Sequence, residues 1–358
     1  MKHQTQALFM KVNNIHPNLK NKPVATWLYC GAISIFVQIV LGGITRLTGS
    51  GLSITEWQPL LGVLPPLSEE SWQHSFKLYK QIAQFKLVNQ EFSLLDYKSI
   101  FFWEWLHRNW ARMLGLIFII PFCIFLLQKK ISLKMLLQLS VLFLLGLLQA
   151  IIGWIMVKSG LNDTAIAVSD IRLAIHFITA LILLCYTLWL AFKLSLPKIN
   201  VPYFPLLRRI TGYILILILI QMFIGALMAG SKAALAAPTW PDMNGYLIPP
   251  ELYKLAASNN YLLIVQFIHR LLAYMILILI FILYKRSSRW KTHYLLSALR
   301  KISIILVTLQ VILGITTLLN SFDTTYQVYA ILHQSAGILL LINILLIFYI
   351  SKRKAVLI

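Results

Sequence analysis

Gln38-Ile-Val-Leu-Gly42 stands in the middle of an apolar run, residues 24–45, and its Gln-x-x-x-Gly pattern returns at Gln149/Gly153, Gln221/Gly225 and Gln310/Gly314. Residues four apart share one face of a helix, so each pattern sets an amide beside a small residue. The small residue admits a second helix at close range, and the amide can hydrogen-bond across the contact. One such pair is ordinary packing; four in matching runs mark an internal repeat. Gln38 to Gln221 is 183 residues, and so is Trp57 to Trp240. Further along, His107 to His269 is 162, Gln149 to Gln310 is 161 and His176 to His333 is 157. The first outer loop is therefore 21 residues longer than its partner.

Outward from this pattern, apolar runs occupy 24–45, 103–127, 135–157, 171–192, 210–230, 261–284, 302–320 and 327–350. Each reaches the roughly 18 residues needed to cross a hydrocarbon core. Backbone polar groups must be satisfied within lipid, so the runs are helices. The composition agrees: 59% of residues are hydrophobic and 12% charged, against about 25% charged in soluble domains. The expected fold is an all-α membrane protein of eight transmembrane helices, arranged as two four-helix bundles. An even number of helices per half relates the halves in parallel, unlike the inverted repeats common in secondary transporters. The predicted divisions are a cytoplasmic tail (1–23), an N-terminal half (24–192, with a long outer loop at 46–102), and a cytoplasmic linker (193–209). A C-terminal half (210–350) and a second cytoplasmic tail (351–358) complete the chain.

A net charge of +21 raises nucleic acid as a partner, but the distribution argues against it. Basic residues gather in alternate short segments: Lys2, Lys11, Lys20 and Lys22; Lys129, Lys130 and Lys134; Lys193, Lys198, Arg208 and Arg209; Lys285 to Lys301; and Lys352 to Lys354. The segments between them carry acids such as Glu69, Asp96, Asp163, Asp242 and Asp323. This positive-inside pattern places both termini in the cytoplasm and makes the lipid bilayer, not nucleic acid, the polyanionic partner. With neither a presequence nor a cleavage site before the first run, a retained first helix in a bacterial inner membrane is expected. Cys30, Cys123 and Cys185 all fall inside apolar runs and read as small buried residues.

Four of the eight histidines, His107, His176, His269 and His333, begin the even-numbered runs, while His3, His16, His74 and His293 lie in tails or loops. They precede the next basic segment by 22, 17, 16 and 19 residues, which puts all four about 24–33 Å from that side of the membrane. Polar groups at such depth are costly and usually functional. Two imidazoles on facing helices of a bundle suit a haem. Zinc or copper competes, but a closed zinc site asks for four ligands. Arg108 and Arg270 directly follow the first histidine of each half, where a guanidinium fork can snorkel to the interface or meet haem propionates.

The halves differ at one position that matters. Glu104 stands three residues before His107, and Gln266 three before His269. A carboxylate on the ligand's face can exchange a proton and an amide cannot, so the N-terminal half reads as reactive and the other as a fixed electron-transfer site. The plainer reading of Glu104 is an interfacial carboxylate paired with Arg108 or Arg112. The longer loop belongs to the same half. Trp72, Phe76, Tyr79 and Ala83 predict an amphipathic helix over 68–88 that lies on the membrane surface or covers the reactive site.

Leu41-Gly-Gly-Ile-Thr-Arg-Leu-Thr-Gly-Ser-Gly-Leu-Ser-Ile-Thr-Glu-Trp-Gln-Pro59, Glu104-Trp-Leu-His-Arg108 and Pro238-Thr-Trp-Pro-Asp-Met-Asn-Gly245 together resemble the haem A synthase family, in the branch without a loop cysteine pair. The resemblance implies oxidation of a methyl group of farnesylated haem O to the formyl of haem A through a hydroxymethyl intermediate, for assembly of cytochrome oxidase. It implies haem O as substrate on His107 and His176, with Glu104 as the catalytic residue. His269 and His333 would then be axial ligands of a resident haem b. Its implied partners are the farnesyltransferase that makes haem O, oxidase assembly factors and an electron donor. Two rival readings of the same residues are a di-haem b-type electron carrier and a haem-handling assembly factor.

Overall fold

The computed structural model describes residues 22–56, 61–196, 204–253, 260–288 and 294–351. Trp57, His3, His16, His293 and residues 352–358 lie outside them. The described residues form ten α-helices: α1 (Lys22–Leu47), α2 (Glu69–Tyr79), α3 (Ala83–Leu87), α4 (Leu94–Leu127), α5 (Leu133–Lys158), α6 (Asp170–Ser195), α7 (Pro205–Ser231), α8 (Tyr261–Arg286), α9 (Tyr294–Leu319) and α10 (Tyr326–Ile350). All but α2 and α3 are long and apolar enough to cross a membrane, giving the eight expected spans of a multi-pass membrane protein.

Side-chain caps fix several starts. The hydroxyl of Ser132 accepts from the Met135 N–H at the head of α5, and Ser169 caps α6 by the same means. Pro205 opens α7, where its missing N–H costs nothing. Two spans begin eight or nine residues ahead of their apolar runs. α4 starts nine residues ahead of 103, because Ser93 and Asp96 form a reciprocal capping box that nucleates a turn in polar sequence. α9 starts at Tyr294, and its first turns carry Arg300. That side chain is buried, donates to Ser287 and the Tyr284 carbonyl, and lies 4.3 Å from the Tyr284 ring.

Helices α1, α6, α7 and α10 pack against one another at the centre. Their shared core includes Ile35 and Ile39, Leu181 and Leu184, Ile214 and Ile218, and Leu341 and Ile344. The remaining spans flank this centre: α4 on α1, α5 on α6, α8 on α7 and α9 on α10.

The amphipathic segment departs from the single helix expected over 68–88. Its helix breaks at residues 80–82, separating α2 from α3. The break lets the Tyr79 hydroxyl donate to Gln84 Oε1, whose amide in turn reaches the Gly49 carbonyl. The segment's apolar face packs on protein. Phe76 stacks on Tyr97 with centroids 5.0 Å apart, and Trp72 meets Phe101 edge-on at 5.0 Å. Tyr97 and Phe101 belong to the early turns of α4, so the extension of that helix supplies the surface that α2 covers. Burial pushes the Tyr79 phenol above its usual pKa.

Candidate functional site

Each of the four repeated patterns meets one of the four histidines. Gln38 Nε2 lies 3.3 Å from His107 Nε2 and donates to the His107 carbonyl. Gln149 Nε2 lies 3.1 Å from His176 Nδ1 and donates to the His176 carbonyl. Gln221 Nε2 lies 3.3 Å from His269 Nε2 and donates to the His269 carbonyl at 3.0 Å, and Gln310 Nε2 approaches His333 Nε2 at 3.4 Å. The glycine one turn further along is the floor beneath each ring. A Cβ on Gly42, Gly153, Gly225 or Gly314 would sit 3.0, 2.8, 3.1 or 2.9 Å from Cε1 of His107, His176, His269 or His333. Glycine is required here for close approach. The pattern that looked like packing is thus an imidazole seat, built four times.

In the C-terminal half the rings of His269 and His333 stand edge-on at 64°, with centroids 6.3 Å apart. Two imidazoles bonded to one metal at roughly 2 Å each, with each nitrogen roughly 1 Å from its ring centre, would stand about 6 Å apart. In the N-terminal half His107 on α4 and His176 on α6 sit against the glutamine–glycine faces of α1 and α5. Nδ1 of His107 and Nδ1 of His269 are buried without a partner. Such an atom costs about 1–3 kcal/mol unless something binds it, and either ring nitrogen can take a metal. Among the described residues no three His, Cys, Asp or Glu side chains cluster as a metal cage. Two-imidazole ligation therefore fits these residues, and a closed zinc site does not.

Glu104 is buried, and its carboxylate accepts three hydrogen bonds: from the Ser53 hydroxyl at 2.7 Å, the Ile54 N–H at 2.9 Å and the Arg108 guanidinium at 2.6 Å. Arg108 also donates to the Ile54 carbonyl. Gln266, fully buried, donates to the Ala237 carbonyl, and Arg270 donates to the carbonyls of Ala237, Thr239 and Asp242. In both halves, then, the residue three before the histidine and the arginine one after it clamp the loop that follows α1 or α7. Arg112 instead reaches Asn109 Oδ1. In the second loop the Thr239 hydroxyl donates to Asp242, which with the Gly245 N–H holds that carboxyl below the usual range.

A family of cytochrome oxidase assembly proteins matches residues 25–345. The chain belongs to that family. Among its relatives, the heme A synthase of Nitrosospira multiformis is 40% identical over 326 residues, covering 89% of this chain and 90% of that protein. The heme A synthase of Rhizobium rhizogenes is 40% identical over 306 residues, 83% of this chain and 82% of its own. That of Flavobacterium johnsoniae is 37% identical over 330 residues, 90% and 96% respectively.

Within this family member, the residues that sequence reading passed over are Ser53 and Ile54, the two loop donors to Glu104. Neither carries a signal on its own; the repeat could have found them, because residues 183 further on, 236 and 237, adjoin the Gln266 contact. The sequence does not mark the ties between the halves as such, and Arg46, which as an arginine near the outer face suits snorkelling or haem propionates, is one of them. Arg46 donates to the carbonyls of Ala229 and Gly230, Gln334 to that of Ile39, and Tyr261 to Asp170.

Proposed function

We propose that this protein is a haem A synthase of a bacterial inner membrane, with both termini in the cytoplasm. Its reaction is the oxidation of a methyl group of farnesylated haem O to the formyl of haem A, by way of the hydroxymethyl compound. His107 and His176 bind the substrate haem, and His269 and His333 hold a resident haem b. The likeness to heme A synthases supports the activity, and one observation carries the division of labour. Two halves with matching imidazole seats differ in that Glu104 faces one loop where Gln266 faces the other.

When bound, haem b supplies one-electron transfer. The chain's own residues do the rest. Each glutamine fixes its histidine's position, and each glycine lets the ring approach the neighbouring backbone. Glu104 can hold or pass a proton at Oε2, the oxygen shared by Ser53 and the Ile54 N–H. Arg108 keeps a positive charge against Oε1. Arg108 and Arg270 hold the loops over the two sites, with Arg270 directed at three carbonyls. The farnesyltransferase that makes haem O is the supplier of substrate, oxidase assembly the consumer of product, and a separate redox partner exchanges the electrons of the oxidation.

The test is co-expression with a haem O-producing farnesyltransferase, with extracted haems separated and identified by mass. Haem A or its hydroxymethyl precursor is expected only when this chain is present. Glu104→Gln places at 104 the side chain that the other half already accommodates, so the variant should fold, keep its reduced haem spectrum and lose at least 90% of conversion. Haems B and O alone from wild-type membranes, beside a reducible protein-bound haem, would instead favour an electron carrier.

A further inference from the structure

The matched halves differ in a second way. In the C-terminal half the flanking spans α8 and α9 pack along one another, whereas the equivalent α4 and α5 do not. Phe118 and Phe143 still stack between α4 and α5, with centroids 5.9 Å apart. Between that stack and the histidine level each helix carries a glycine, Gly115 and Gly146. A Cβ built on either meets nothing within 4 Å. By the repeat spacing their counterparts are Leu277 and Val307. Val307 is buried, and Leu277 packs on the same central core. Glycine in a membrane helix usually lets a neighbour close in. Here no neighbour does: Gly115 is exposed and Gly146 half-buried, where their counterparts carry side chains packed on the core. The seam thus opens outward from the bundle.

We infer that the seam between α4 and α5 takes the prenyl tail of the substrate haem and is the lateral path by which that haem reaches His107 and His176. This rests on the function proposed above. A porphyrin held between two imidazoles inside a four-helix bundle must send an attached isoprenoid chain out between two helices. Gly115 lies eight residues from His107, about 12 Å along the axis, within reach of a three-isoprene chain. The path leads from apolar seam to apolar bilayer, so the tail need never meet water. A permanently held haem without a tail needs no such gap, and the C-terminal half is closed. The seam thereby gives the N-terminal site its preference for a prenylated haem.

The experiment puts the counterparts' side chains at both glycines, Gly115→Leu and Gly146→Val together, to fill the seam. Haem O and untailed haem B are titrated into the purified full-length protein, and haem A production is followed in co-expressing membranes. Wild type should bind haem O at least tenfold more tightly than haem B. The double variant should keep the resident haem spectrum, bind the two haems alike, and make less than a tenth of the haem A. Undiminished haem A production and haem O affinity in the variant would overturn the inference while leaving the enzyme reading intact. If wild type makes no haem A, the enzyme reading fails, and the seam is judged on binding alone: equal wild-type affinity for haems O and B rejects it. Should the double variant lose its resident haem through misfolding, that same wild-type comparison decides.

Discussion

Each imidazole is held by two unlike devices, an amide that hydrogen-bonds and a glycine that makes room, and they should fail differently. At Gly314 an added methyl would stand 2.9 Å from His333 Cε1, forcing the ring off its rotamer at about 1–3 kcal/mol. Gly314→Ala is therefore expected to leave the helices in place and lower the tightly held haem, read as a weaker reduced-minus-oxidised spectrum. An unchanged spectrum and melting temperature would reject the seat. The clamp residues fail by charge. Removing the cation in Arg108→Leu leaves the Glu104 carboxylate buried without its ion-pair partner, a loss of about 3–5 kcal/mol. Adding Glu104→Gln should restore most of the melting temperature; if the double variant is no better than the single, the pair does not hold the loop. The histidines and glutamines were all legible in the sequence, but not that one seats the other. Periodicity tells which residues share a face of one helix and is silent on which helix lies opposite.

At the scale of elements, the apolar runs located every span to within a few residues except where a helix continued into polar sequence. The early turns of α4 hold Asp96 and Lys98, which end a hydropathy run though not a helix. The cap that starts them has a measurable weight. Ser93→Ala removes both hydrogen bonds of the box that involve the side chain hydroxyl, typically about 1 kcal/mol. Faster proteolysis and hydrogen exchange around residues 90–98 are expected, with the spans below unaffected; wild-type exchange there would make the cap irrelevant. The amphipathic segment shows the opposite limit. Its face was readable, its partner was not, since a 3.6-residue period demands that a stripe be buried without saying whether lipid or protein buries it.

For the whole molecule the bilayer changes what holds the halves together. Lipid solvates leucine as well as leucine does, so the apolar centre drives association through packing and polar ties more than through exclusion of water. Arg46 is the most telling tie. It reaches from α1 to the carbonyls of Ala229 and Gly230, which close α7 and have no acceptor role within that helix. A cation suits the negative end of the helix dipole. Arg46→Leu is expected to raise hydrogen exchange at residues 226–231 and to slow electron passage between the halves while the resident haem stays bound. Identical exchange in the variant would show that packing alone suffices. The repeated glutamine, glycine and histidine spacing pointed to two matching halves, whereas the ties between them lie where that spacing does not repeat.

The glycine seats also bear on how the protein meets membranes of different thickness. With no side chain beneath it to yield, each imidazole rests on the main chain of the neighbouring span at 2.8–3.1 Å from where a Cβ would be. A span that tilts to match a thinner or thicker bilayer must carry its neighbour's ring along, like a bearing fixed to a shaft. Lipid chain length thereby becomes a mechanical input to ligand geometry.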